Sequence, residues 1–285
     1  PGFLERQANS GGTPGYRRPC CVGQIEVKSL VPLQQDLDNF QAAVADHRPV
    51  EGFMNAASPG VIALFQPNRY YDSHEAYLEA LGDAMRAEYE AIVEAGFILQ
   101  LDSPDLGLGR HMMFKDRSDA DYLNLASLHV EVLNHALRNI PADRARLHVC
   151  WGNYEGPHHH DAPMELVLPV ALRAKPQALL FEASNPRHAH EWEVFESTAI
   201  PDDKILVPGV IDSTTNFIEH PRLVAQRIQR FANIVGRERV LAGSDCGFST
   251  FAGFGAVDED IVYAKLATMV EGASIASASL WGKTA

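Results

Sequence analysis

Short apolar runs alternate along this chain with longer segments whose apolar residues recur at helical spacing. Seven runs read as strands: VGQIEVK (22–28), GFMNAA (52–57), GFILQLD (96–102), RLHVCW (146–151), ALLFEA (178–183), KILVPGVID (204–212) and RVLAGSD (239–245). Such runs, short and either apolar or β-branched, suit the strands of a parallel sheet. The clearest helix spans 221–235. Val224, Ile228, Phe231 and Val235 fall on one of its faces, Pro221 suits the first turn, and Gly236 suits the stop. Further helices are expected over 73–95 and 258–277, and Asp161 with Pro163 reads as the cap and first turn of MELVLPVALRA. Residues 1–21, rich in Gly, Pro and Arg, read as an irregular arm.

Strands alternating with helices predict βα units and a parallel sheet. Either a (β/α)8 TIM barrel or an open doubly wound sheet would satisfy that order. The barrel is favoured by what stands at the C-terminal ends of the strands: Asp102, Cys150, Glu182, Asp212 and the pair Asp245-Cys246. In a barrel those ends converge on one mouth, whereas in an open sheet they would spread along an edge. No GxGxxG and no Walker A sequence follows any strand.

Composition narrows the function. The 285 residues are 46% hydrophobic and 21% charged, enough for a large core in a single catalytic domain. A formal net charge of −13 disfavours nucleic acid and polyanionic substrates. Four cysteines, two of them adjacent (Cys20 and Cys21), make no disulfide framework, so a reducing, cytoplasmic compartment is expected. No apolar run reaches membrane-spanning length, so no membrane partner is expected.

The stretch RLHVCWGNYEGPHHHD (146–161) is crowded with metal-binding side chains. His148 and Cys150 lie two apart in a strand, so both point to one face. Glu182 and Cys246 stand at the ends of later strands. Each residue alone would read as ordinary core. One imidazole, two thiols and a carboxylate, all at strand ends, form a zinc-type donor set.

The pieces LHVCWGN, LFEASNP, VPGVIDS and LAGSDCGF, in this order, resemble the catalytic domain of cobalamin-independent methionine synthase and its relatives, which include epoxyalkane:coenzyme M transferase. LQLDSPD (99–105) extends the resemblance, which covers roughly residues 50–280. The resemblance implies a zinc ion held by His148, Cys150, Glu182 and Cys246, and a (β/α)8 barrel in which GFMNAA is the third strand. The first two strands would then precede Pro1, and VGQIEVK would belong to an excursion. It implies transfer of a methyl or alkyl group from a small-molecule donor to a small-molecule thiol, with a homo-oligomer compatible. Asp102 takes the place of a residue contacting the amino group of homocysteine, while Ser103 stands where the family has an acid.

The chemistry accounts for the donor set. Only a thiolate attacks carbon efficiently, and zinc coordination removes the thiol proton. Two thiolates and a carboxylate leave the metal electron-rich, so that a bound substrate sulfur stays nucleophilic. Asp212 is expected to orient a neighbouring group. His158, His159 and His160 fall in a loop above the mouth, with His159 the candidate acid or base. Epoxide opening by a thiol bearing a sulfonate is an alternative, for which Arg110 or Lys115 would supply the cation. A metal-free decarboxylase of the uroporphyrinogen type is a more distant one.

Overall fold

The computed structural model describes residues 19–282, apart from 155, 252, 253 and 256. They pack as two compact units, one built from Pro19–Val149 with Leu166–Leu179, the other from Cys150–Glu165 with Leu180 onward.

The first unit carries helices α1 (Val31–Ala45), α2 (Pro59–Phe65), α3 (His74–Glu94), α4 (Gly109–Met112), α5 (Asp119–Ala136) and α6 (Met164–Ala171, begun in the other unit). Its strands are β1 (Phe53–Ala57), β2 (Ile98–Asp102) and β3 (Ala145–His148). They run parallel, and the register sets Ala57 beside Asp102 and Asp102 beside His148. Ser73 begins α3 by accepting from Ala76 N, and Tyr77, Leu78, Leu81, Tyr89 and Ile92 recur along its buried stripe. Polar groups are buried here as a connected chain. The Asp105 carboxylate takes the Ser58 hydroxyl at 3.0 Å and His129 Nδ1 at 2.8 Å, and His129 Nε2 lies 2.8 Å from His74 Nε2. Burial, with His129 beside it, lowers the His74 pKa to about 4, so this ring is neutral near pH 7.

β4 (Ala178–Phe181) straddles the division between the units. The second unit adds α7 (Trp192–Ser197), β5 (Ile205–Ile211), α8 (Pro221–Val235), β6 (Gly243–Ser244), a small antiparallel pair of β7 (Ser249–Phe251) and β8 (Phe254–Gly255), and α9 (Glu259–Trp281). β5 and β6 are parallel. In the sheet, β1 to β6 stand in chain order, as successive βα units place them. The α/β class and the parallel order are those expected. These six strands are two fewer than an eight-stranded barrel needs. None of the described helices is long and apolar enough to cross a membrane.

Two expectations change. Residues 22–28 form no strand; the ladder is reduced to a single bridge from Cys21 to Asn68. Alternation alone does not make a strand where no neighbour accepts its backbone. Val22 is 76% exposed, Ile25 packs inward, and Ile25 N–H bonds the Tyr71 hydroxyl instead. The last predicted strand shrinks to Gly243–Ser244, with Val240 forming an isolated bridge to Leu206. Helix 221–235, by contrast, has the expected ends, with Gly236 at a positive φ of 91°.

Gly272 on α9 sits against α8. A Cβ there would lie 2.4 Å from Val224 Cγ1 and 2.8 Å from Pro221 O. Gly272→Ala is therefore expected to destabilise the fold by about 1–3 kcal/mol through overpacking. Chemical denaturation would show a lower midpoint at unchanged m; an unshifted midpoint would show that the two helices can separate without cost.

Candidate metal centre

His148 is the last residue of β3. Its Nδ1 lies 2.9 Å from Asp102 Oδ1, the residue set beside it by the β2–β3 register. A carboxylate at Nδ1 places the ring proton there and leaves Nε2 with its lone pair as the donor. Two residues on, Cys150 is buried, and its Sγ accepts the Gly152 N–H at 3.2 Å. Cys246 follows β6; its Sγ stands 3.7 Å from that of Cys150, and neither forms a disulfide. His148, Cys150 and Cys246 offer ligand atoms that all lie within 4.8 Å of one another. One nitrogen and two sulfurs at such spacing suit tetrahedral zinc.

Glu182 stands just past β4, with its side chain 1% exposed. Oε1 accepts from Trp151 N at 3.0 Å, while Oε2 accepts from Asn185 Nδ2 at 2.7 Å and from Arg187 Nη2 at 3.0 Å. Three donors aim this carboxylate and offset its charge.

The exit of β4 is itself held by Asp245, the residue before Cys246. Asp245 Oδ1 accepts the N–H of Ala183 and of Ser184; Oδ2 accepts Asn185 N and Nδ2. All four bonds are 2.8–3.0 Å, and the residue is 1% exposed. Gly209 on β5 makes room for it, since a Cβ there would lie 2.0 Å from Asp245 Oδ1. Burial first, and the Glu182 carboxylate second, push the Asp245 pKa up, against the pull of its N–H donors.

The other sequence candidates have local partners. Asp212 accepts from Thr214 N and Oγ1 at 2.9 Å and from Thr215 Oγ1 at 2.7 Å, which closes the turn after β5. His159 and His160 are exposed, their rings 4.0 Å apart. His158 points inward, with Nδ1 2.8 Å from Asp161 Oδ2. Asp161 does not cap α6 as expected: Met164 N–H bonds Glu191 Oε1, and the Asp161 carboxylate lies between His158 and His188. Both imidazoles meet the same oxygen, Oδ2, and the first amide of the helix is taken by Glu191 instead. Arg110 pairs with Asp119 at 3.0 Å, and Lys115 is exposed. Sequence reasoning passed over Asn185, Arg187, His188 and Glu191. The available signal was the density of polar residues in NPRHAHE immediately after a strand-end glutamate.

Residues 5–274 match the family model described as the cobalamin-independent synthase catalytic domain. The chain belongs to that family. It is 27% identical over 265 residues to a methionine synthase of Saccharolobus solfataricus, an alignment covering 93% of this chain and 69% of that protein. Against a methionine synthase of Thermococcus kodakarensis it is 25% identical over 218 residues, covering 76% and 55%. A B12-independent methionine synthase from Shewanella, solved with selenomethionine, superposes with a TM-score of 0.68 at 15% identity over 90% of this chain and 69% of that one, which extends the likeness to the fold.

Asp245→Ala would leave buried N–H groups at 183–185 without an acceptor. Expected is a loss of at least about 3 kcal/mol of folding stability, read by thermal and chemical denaturation. A loss below about 1 kcal/mol would show that water replaces the carboxylate and that the clamp is dispensable.

Proposed function

We propose that this protein is a zinc-dependent transferase that places a methyl or alkyl group on the sulfur of a small thiol, with homocysteine the leading acceptor. The observation that carries the reading is the pair of thiols 3.7 Å apart in one group with His148. Family membership and the names of the relatives support methyl transfer. In this reading His148, Cys150, Cys246 and Glu182 hold the ion. Zinc, when bound, supplies a centre on which a substrate thiol loses its proton at neutral pH yet remains nucleophilic.

The chain's own residues prepare that event. Asp102 holds the His148 ring turned with its proton on Nδ1, which leaves Nε2 as the donor atom. The Gly152 N–H, pointed at Cys150 Sγ, favours the thiolate. Glu182, held by three donors and outside the close group of His148, Cys150 and Cys246, would be the most weakly committed of the four ligands. The Asp102 side chain, 40% exposed, retains surface for a substrate ammonium. His159, on its exposed turn, is the proposed proton carrier, and Asp212 shapes the neighbouring loop.

In the same reading the six strands belong to a (β/α)8 barrel acting as one catalytic domain, supported by the superposition on the Shewanella enzyme. Cysteines that form no disulfide and must stay reduced suit a cytoplasmic setting. Epoxide opening by a sulfonated thiol is less well supported, because Arg110 is engaged by Asp119. A metal-free decarboxylase has no use for two facing thiols.

Elemental analysis of protein purified without chelator and offered zinc should find about one zinc per chain, with Cys246→Ser losing it while remaining folded. A well-folded wild type that takes up no zinc would overturn the reading. With zinc bound, homocysteine should release about one proton per chain on mixing near pH 7, measured with an indicator dye. Zinc uptake without proton release would move the acceptor to another thiol.

A further inference from the structure

His188 lies in the loop after β4, 3% exposed, with a carboxylate at each ring nitrogen. Nε2 is 3.1 Å from Asp161 Oδ2, and Nδ1 is 2.8 Å from Glu191 Oε2. A neutral imidazole has one N–H, so one of these two carboxylates would face a lone pair. Only the imidazolium donates to both. Burial opposes that charge, but the bonds to Asp161 and Glu191, with the field of Glu182, overcome it and raise the pKa to about 9.

The cation joins segments that are far apart in the chain. Glu191 Oε1 holds Met164 N at 2.8 Å. Asp161 Oδ2 also meets His158 Nδ1, whose Nε2 is 3.2 Å from Tyr154 O. The loop between Trp151 and Met164 is thus tied down at its middle and at its far end. At its near end is Trp151, fully buried, its ring centroid 4.5 Å from that of His188. Trp151 Nε1 donates to Ala162 O at 2.6 Å, and its backbone N–H is the one that holds Glu182 Oε1. A cation against an indole face adds attraction that a neutral ring lacks.

We propose that His188 is a positioning residue of the metal centre: as an imidazolium bridging Asp161 and Glu191 it fixes Trp151, and through the Trp151 backbone it sets the neighbouring Cys150 thiol and the Glu182 carboxylate. This rests on the metal-centre reading above. The bridge also explains why the HHHD run closes inward: His158 and Asp161 are spent on the loop, leaving His159 and His160 outside. The sign of the pH dependence follows. A raised histidine pKa stabilises fully below the ordinary value of 6.5, and that contribution is lost as pH rises through about 9.

The test compares zinc- and cobalt-loaded wild type with His188→Gln, with His160→Gln as the surface control. Expected for His188→Gln is zinc affinity at least tenfold weaker in competition with a chromophoric chelator, with shifted cobalt d–d bands, while far-UV circular dichroism and the control stay as in wild type. A folded His188→Gln with wild-type affinity and an identical cobalt spectrum would overturn the proposal. A wild type that takes up no metal would overturn the metal-centre reading, and this inference falls with it. Should His188→Gln fail to fold, nitrogen-15 NMR of histidine-labelled, zinc-loaded wild type decides. Both His188 ring nitrogens should be protonated near pH 7.5 and lose one proton with a midpoint near 9; a single-N–H tautomer near pH 7.5 refutes the bridge.

Discussion

Much of the second unit's chemistry depends on one buried carboxylate. Asp245 accepts four N–H bonds from three consecutive residues, Ala183 to Asn185, at the exit of β4. A backbone that leaves a strand inside a protein must find acceptors for its N–H groups. Here they come from a side chain, not from a further turn of structure. The clamp places Glu182 on one side and, one residue beyond Asp245, Cys246 on the other. It requires Gly209 on β5, because any larger residue would occupy the space of the carboxylate oxygen.

The same device recurs around the site. His148 is turned by Asp102, Glu182 is aimed by Trp151, Asn185 and Arg187, and Cys150 receives the Gly152 N–H. Burying so many charged groups is expensive, and their mutual attraction returns only part of that expense. What the arrangement secures is geometry. His148, Cys150 and Cys246 are held close enough to act as one donor set without rearrangement. Two sulfurs beside an imidazole make a soft donor set, of a kind that suits zinc better than hard, oxygen-preferring cations.

Trp151 connects these arrangements. Its indole is held by Ala162 and lies against His188, while its backbone belongs to the turn that carries Cys150 and supports Glu182. A rigid, fully buried aromatic residue transmits position with little loss, since the packed interior around it leaves no space in which to relax.

What was legible from the sequence was local or periodic. The helix at 221–235 was readable end to end, because a 3.6-residue stripe and its stop signals are written in adjacent residues. Strands β1 to β5 were readable as apolar runs, although β1 turned out largely uncovered, and the polar ends marked the site. His148 and Cys150 could be paired from the pleat alone. Residues 22–28 misled for the complementary reason: their alternation was real, but among the described residues no strand pairs with them. Only the tertiary structure decided the rest. Asp245 meets its partners across some 60 residues, His188 reaches Asp161 across 27, and Cys246 meets Cys150 across 96. Asp161, Asp212 and Glu182 look alike in the chain. One ends up between two imidazoles, one closes a turn, and one is aimed by three donors. A carboxylate's role is set by which N–H groups surround it, and those come from segments that only the packing of the sheet brings near.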